Sequence, residues 1–405
     1  MIWRAEDGGP QRRQTVPGKL GLLGGGGRLK VTSRIAPAAT MVVGDGEGRV
    51  FLLRHTAGEG ATATVERIDA ESLEPLVVSA DLPAGPVWPG GLAVVADGTV
   101  VVVFGNHAHR LDPDDLSVLA MRKLPRDRPY NSFVTLPDGH LVTKDFGGSR
   151  PGLAVAAGDR EHCELVVLEP DGLEIVDRLV VGEPSIARLS ADGDHVYVVG
   201  DTSLLRFVWN GRQLLSDQPH FRVPYRTLDG QTFGWDCVLA GGFAWFLDDG
   251  DGSESFSGTL RGHGRATAPL HLVRVDTAIG ELAMAEVCGL PGGLVANPPV
   301  VDVERGIAVG YDSGNGVIAG FDTDTLDVRW RRDQDHASHL LLYAGSGELV
   351  TGDHADVVVL DIATGAEVAR ADTGLGMQSV LFPCPAGDRS FYVCAFTGVA
   401  RITAG

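Results

Sequence analysis

Apolar and polar positions alternate along this chain in short runs, and turn residues cut the runs at regular intervals. A hairpin pattern of apolar strand, Gly/Asp turn and second apolar strand recurs eight times. It is read at TMVVGDGEGRVFLL (40–53), GLAVVADGTVVVVF (91–104), NSFVTLPDGHLVTKD (131–145) and SIARLSADGDHVYVVG (185–200). It returns at DCVLAGGFAWFL (236–247), PPVVDVERGIAVGY (298–311), SHLLLYAGSGELVTG (338–352) and SVLFPCPAGDRSFYVC (379–394). Period-two alternation with frequent turns predicts strands, and the 3.6-residue period of helices is nearly absent. A second turn with an acidic or polar apex follows each hairpin except the last, as in RIDAESLEPL (67–76), RLDPDDLSVL (110–119) and GFDTDTLDVRW (320–330).

Eight hairpins with seven second turns leave the last repeat one strand short. Four-stranded blades set around an axis leave only short, protected edges. RLKVTSRI (28–35) precedes the first hairpin and is apolar enough to supply the missing strand. The expected fold is therefore all-β: a single eight-bladed β-propeller over residues 28–405, closed by an N-terminal strand in the last blade. A seven-bladed ring is the alternative if one irregular repeat is not a blade. Residues 1–27, with GLLGGGG at 21–27, read as a flexible leader.

The segments GFDTDTLDVRW and VLDIATGAEVAR resemble the A-x-D-x-x-T-G-x-x-x-W blade motif of PQQ-like (quinoprotein-like) β-propellers. RVDTAIGEL matches in part, and the other repeats match by spacing. The resemblance implies the propeller fold. Its quinoprotein members carry adjacent cysteines beneath a quinone, and this chain has no adjacent cysteines, so pyrroloquinoline quinone (PQQ) is not expected.

Composition narrows the function classes. Glycine is 55 of 405 residues, which suits a turn-rich chain, and 44% of residues are hydrophobic, enough for a large core. The formal charge of −19 argues against nucleic-acid partners and against an anionic membrane surface. The start MIWRAEDGGPQRRQ is charged and has no apolar run, so it does not read as a signal peptide. Five scattered cysteines without a CxxC fit reduced thiols, and a cytoplasmic location is the expectation.

Three long connections, 145–161, 216–234 and 248–268, map to one face, and long loops on a rigid scaffold commonly bind. Residues at the starts of the innermost strands would ring the channel mouth there: Asn131, Ser185, Asp236, Asn297, His339 and Gln378. Tyr130, Trp88, Trp235 and His336 lie beside them. A few placed polar groups in an apolar concavity suit a small-molecule ligand. On this reading His339 or His336 is a general acid or base and Asp236 orients it. Tyr130, Asn131, Trp235, Asn297, Gln378 and Trp88 hold the substrate. Lys144, one of four lysines, is a candidate base or nucleophile. The cofactor is open, with a divalent metal, calcium or a transition ion, on Asn131, Asp236 and Asn297 as one option. HxH at His107 and His109, and Asp249, Asp251 and Ser253 in a D-x-D-x-S loop, are weaker metal signals.

Two functions follow. One is an intracellular lyase, isomerase or hydrolase acting on a small organic molecule at the channel mouth. The other is a non-catalytic propeller that binds a protein or peptide. A deep polar pocket with convergent His and Asp favours the first. A channel filled by water or apolar side chains, with an exposed apolar patch on a rim or face, favours the second.

Overall fold

The computed structural model describes residues 3–56, 60–85, 90–146, 160–217, 221–253, 260–335, 339–376, 382–387 and 389–405, apart from the side chain of Asn131. Its strands form eight separate sheets, each with a four-stranded antiparallel path. The innermost strands are Ala39–Gly44, Gly91–Val94, Tyr130–Thr135, Ser190–Asp192, Val238–Ala240, Val300–Asp302, Leu341–Tyr343 and Cys384–Gly387. They define blades 1 to 8 in chain order, with strands A to D running outward. Among the described residues the helical content is one 3₁₀ turn, Glu6–Gly8.

Burial follows the position of each strand in its blade. The second strand of blade 2, Val100–Phe104, is an unbroken apolar run buried along its whole length. Blades pack on both of its faces, so neither face can be polar. The outer strand Val118–Lys123 meets a blade interface on one side only, and Leu119, Met121 and Lys123 face solvent.

The C–D turns share one piece of chemistry. The carboxylate of Asp69, Asp112, Asp276 or Asp322 accepts backbone N–H groups two and three residues on. Four residues after Asp69, Asp112, Glu169 and Asp322 stands a leucine with φ near +60°: Leu73, Leu116, Leu173 and Leu326. A left-handed non-glycine residue costs roughly 1–2 kcal/mol. Each of these leucines is buried, which returns an amount of the same order.

Blade 8 closes as the strand shortfall predicts. Leu29–Ile35 pairs antiparallel with Gly398–Ala404 over seven residues, from Leu29 opposite Ala404 to Ile35 opposite Gly398. Eight blades, not seven, are present.

The reading of residues 1–27 as a flexible leader is corrected. Residues 3–16 run along the inner strands of the channel, and residues 20–23 lie against Glu348 of blade 7. Trp3 bridges Gly44 of blade 1 and Ala5 bridges Ala93 of blade 2. The Pro10 and Gln11 carbonyls accept N–H groups of Ala191 and Leu239, in blades 4 and 5. Gln14 donates to the Pro299 carbonyl, and Thr15–Val16 lies parallel to strand A of blade 7. The N–H groups of residues 20–23 converge on the two carboxylate oxygens of Glu348. Trp3, Val16, Leu20 and Leu22 join the apolar core of blades 1, 7 and 8. The polarity of EDGGPQRRQ hides this role, because its charges are matched only by distant parts of the chain.

Candidate functional site in the channel

The centre of the channel is a buried ionic cluster built around Arg188. This residue lies two positions before strand A of blade 4, and it is 6% exposed. Its backbone N–H and Nε donate to Asp236 Oδ1 and Oδ2 at 2.5 and 2.6 Å. Nη1 donates to Glu6 Oε2 at 2.8 Å, and Nη2 lies 3.2 Å from Asp7 Oδ2. Arg12 mirrors it from the N-terminal segment, reaching Asp7 Oδ2 at 2.9 Å, Glu6 Oε1 at 2.8 Å and Ser132 Oγ. Three carboxylates and two guanidiniums thus neutralise most of each other in a dry site. Buried charge is tolerated only when paired in this way.

His339, which the sequence places at the channel mouth, lies enclosed against the Arg188 cluster and is 1% exposed. Arg188 Nη2 donates to its Nε2 at 2.9 Å, so the ring proton sits on Nδ1, 3.8 Å from Asp7 Oδ1. Burial first, and the Arg188 charge next, hold its pKa well below the usual range. Phe382 covers it edge-on with ring centroids 4.1 Å apart, and the same ring lies 5.1 Å from the Arg188 guanidinium. His339 is therefore a neutral, enclosed acceptor in this structure.

Of the other expected site residues, Asp236 joins the cluster, with both carboxylate oxygens bonded to Arg188. The expected set of Asn131, Asp236 and Asn297 around a metal thus loses its carboxylate to Arg188. Asn297 is buried and donates to the Pro298 carbonyl at 3.4 Å. Tyr130 is fully buried, its hydroxyl accepts the Arg126 N–H, and burial raises its pKa. Trp235 is 5% exposed and packs in the core between blades 5 and 6. Lys144 is 1% exposed, donating to the Asp145 and Ser185 carbonyls at 3.0 and 2.9 Å, and burial lowers its pKa. Its neighbour Asp145 instead takes Arg126 and Arg128, each at 3.1 Å. His336, Trp88, Gln378 and the Asn131 side chain lie outside the described residues. Arg188, Glu6, Asp7 and Arg12 were not anticipated. Arg188 stands in SIARLS, where it reads as an ordinary polar strand residue.

Of the weaker metal signals, His107, His109 and Ser253 make structural bonds. His107 and His109 cap the Ala84 and Pro83 carbonyls at 2.9 and 2.8 Å. Ser253 Oγ donates to the Val295 carbonyl at 2.5 Å. Among the described residues no three His, Cys, Asp or Glu side chains converge as metal ligands. The five cysteines are unpaired. No helix among the described residues is long and apolar enough to cross a membrane.

A quinone of the kind that quinoprotein propellers carry, which is not expected from the sequence, does not fit this channel. Glu6, Asp7, Arg12 and Gln14 occupy the space, and both guanidiniums that could face its carboxylates are already bonded to Glu6, Asp7 and Asp236.

Asp249 is a second unusual acid. It is fully buried with φ +59°, and its Oδ2 has no hydrogen-bond partner. Burial, aided by the nearby Asp248 and Asp312 charges, pushes its pKa up to about 8. The folded state then holds a proton that the unfolded chain releases near pH 4, so stability should fall as pH rises from about 4 to about 8. Asp249→Asn keeps the shape, tolerates left-handed φ and removes the titration. We expect it to match the parent near pH 4 and to exceed it by about 5 kcal/mol at pH 8. Urea midpoints at both pH values check this, and a variant weaker than the parent at pH 8 contradicts it.

The described cavities lie on the face of the A–B and C–D turns. One of about 600 Å³ is bounded by Arg4, Ala5 and Gly8–Pro10 of the N-terminal segment, the turns 93–97 and 135–139, and Pro170 and Asp171. A second of about 340 Å³ is bounded by Gln11, Arg13, Thr15, Ala191, Asp192 and Gly193. The two share Gly8, Pro10, Thr135, Leu136 and Pro137, so they form one groove across blades 2 to 4.

No family model matches the chain, and no curated protein matches it. Solved structures do. BamB from Moraxella catarrhalis aligns at TM-score 0.64 and 13% identity, over 93% of this chain and all of that one. The quinohemoprotein alcohol dehydrogenase from Comamonas testosteroni aligns at 0.69 and 11%, over all of this chain and 80% of that one. A europium-containing methanol dehydrogenase aligns at 0.63 and 12%, over 97% and 89%. At these identities the likeness is one of fold: this chain is an eight-bladed β-propeller, similar in fold to these proteins.

Proposed function

We propose that the chain is a non-catalytic binding propeller that receives a peptide segment of a partner in the groove across blades 2 to 4. The observation that carries this reading is the filled channel: residues 3–16 and the Arg188 cluster take the space an enzyme's pocket would need. The groove has the volume of ligand sites, and its two compartments suit an extended segment better than a compact molecule. The outer strands of blades 1 to 3 add exposed apolar residues, among them Leu76, Leu119, Met121 and Val180, as expected of a protein that meets partners.

A randomised peptide display library panned on the immobilised chain tests this. The control is a groove-blocked variant, Pro137→Trp, at an A–B turn both compartments share. Peptides that bind the parent and lose at least about tenfold on the variant support the reading. Enriched peptides indifferent to the block, or no enrichment, overturn it.

A further inference from the structure

We propose that the groove recognises an acidic peptide, with a carboxylate of the partner held by Arg4; this rests on the groove being the binding site. Each of the groove's four described carboxylates has a partner within the chain, although Asp97 and Asp171 share one guanidinium and remain exposed. Arg110 binds both Asp97 and Asp171. Asp138 accepts from Trp209 Nε1 at 2.6 Å and from the His140 N–H at 3.1 Å. Asp192 accepts from Gln11 at 2.5 Å.

Arg4 is the opposite case. Its backbone is pinned, because its carbonyl accepts the Val94 N–H at 2.7 Å. Its side chain is half-buried and lines the larger compartment. Its Nε is buried without a hydrogen-bond partner, and its terminal Nη1 and Nη2, which are not buried unpartnered atoms, make no ion pair with a carboxylate of the described residues, so that they are the groups a ligand can reach. A half-buried guanidinium without an acceptor is an unmet electrostatic demand. The group that meets it best is planar and anionic, since a carboxylate accepts two parallel N–H bonds from the guanidinium fork. The rigid backbone beneath Arg4 keeps the ordering cost of that contact low.

The test uses peptides enriched on the parent chain, each synthesised with its Asp or Glu and with the isosteric Asn or Gln. Fluorescence anisotropy is read on the parent, Arg4→Met, Arg4→Lys and Pro137→Trp, after thermal melts confirm folding. We expect an acid fixed at one peptide position. The amide twin should bind the parent at least about tenfold more weakly and bind Arg4→Met as well as the acid does. Arg4→Lys should fall between, because it keeps charge and loses the fork. Acid-to-amide discrimination that persists in Arg4→Met, or enriched peptides without an acid, overturns the Arg4 assignment while groove binding stands. Peptides unaffected by Pro137→Trp overturn both.

Discussion

Removal of residues 1–20 is expected to destabilise the propeller by about 5 kcal/mol or more, close to the effect of removing residues 1–36. The polar character of this segment suggests the reverse, that a 1–20 deletion is harmless. The structure places Trp3, Arg12, Gln14, Val16 and Leu20 at 4% exposure or less. Loss of one buried tryptophan alone costs about 3–5 kcal/mol. The deletion also strips Glu6 and Asp7 from Arg188, leaving it with Asp236 as its one carboxylate among the described residues. Removing residues 1–36 further deletes Leu29–Ile35 and leaves Gly398–Ala404 as a bare edge, which invites association. Urea unfolding followed by tryptophan fluorescence, with light scattering in parallel, compares the three forms. We expect lowered midpoints for both deletions and scattering chiefly for the longer one. A 1–20 deletion that unfolds at the parental midpoint would show that the channel segment contributes little.

Arg188→Met should cost about 3–5 kcal/mol at neutral pH, because it leaves Glu6, Asp7 and Asp236 buried with Arg12 as the remaining guanidinium. Urea midpoints of variant and parent at neutral pH check this, and a variant that unfolds at the parental midpoint contradicts it.

The parts of this molecule legible in the chain are those governed by local rules. The closing strand could be found because turn chemistry repeats, so a missing outer strand stands out, and RLKVTSRI alternates as an outer strand must. Asp236 and His339 could be expected near one another because strand starts in a propeller converge on the channel. The rest depends on distance. Nothing near Arg188 in sequence indicates that Glu6, some 180 residues earlier, lies 2.8 Å from it. Ion pairs carry no periodicity, so EDGGPQRRQ and SIARLS look like solvated surface until the ring is closed. The same reason led His339 to be read as an acid or base, since its guanidinium neighbour and Phe382 come from distant segments.

The clasp in blade 8 also sets a schedule for synthesis. Leu29–Ile35 emerges early from the ribosome, yet its partner Gly398–Ala404 follows more than 360 residues later. At about 5–20 residues per second that interval is roughly 20–70 s. Through it the early strand has no mate, and residues 3–16 lack the blade 7 backbone they lie against. The nascent ring is therefore an open crescent with two unsatisfied ends. Its solubility in that period rests on its charge and on whatever holds the first 35 residues until the last strand arrives.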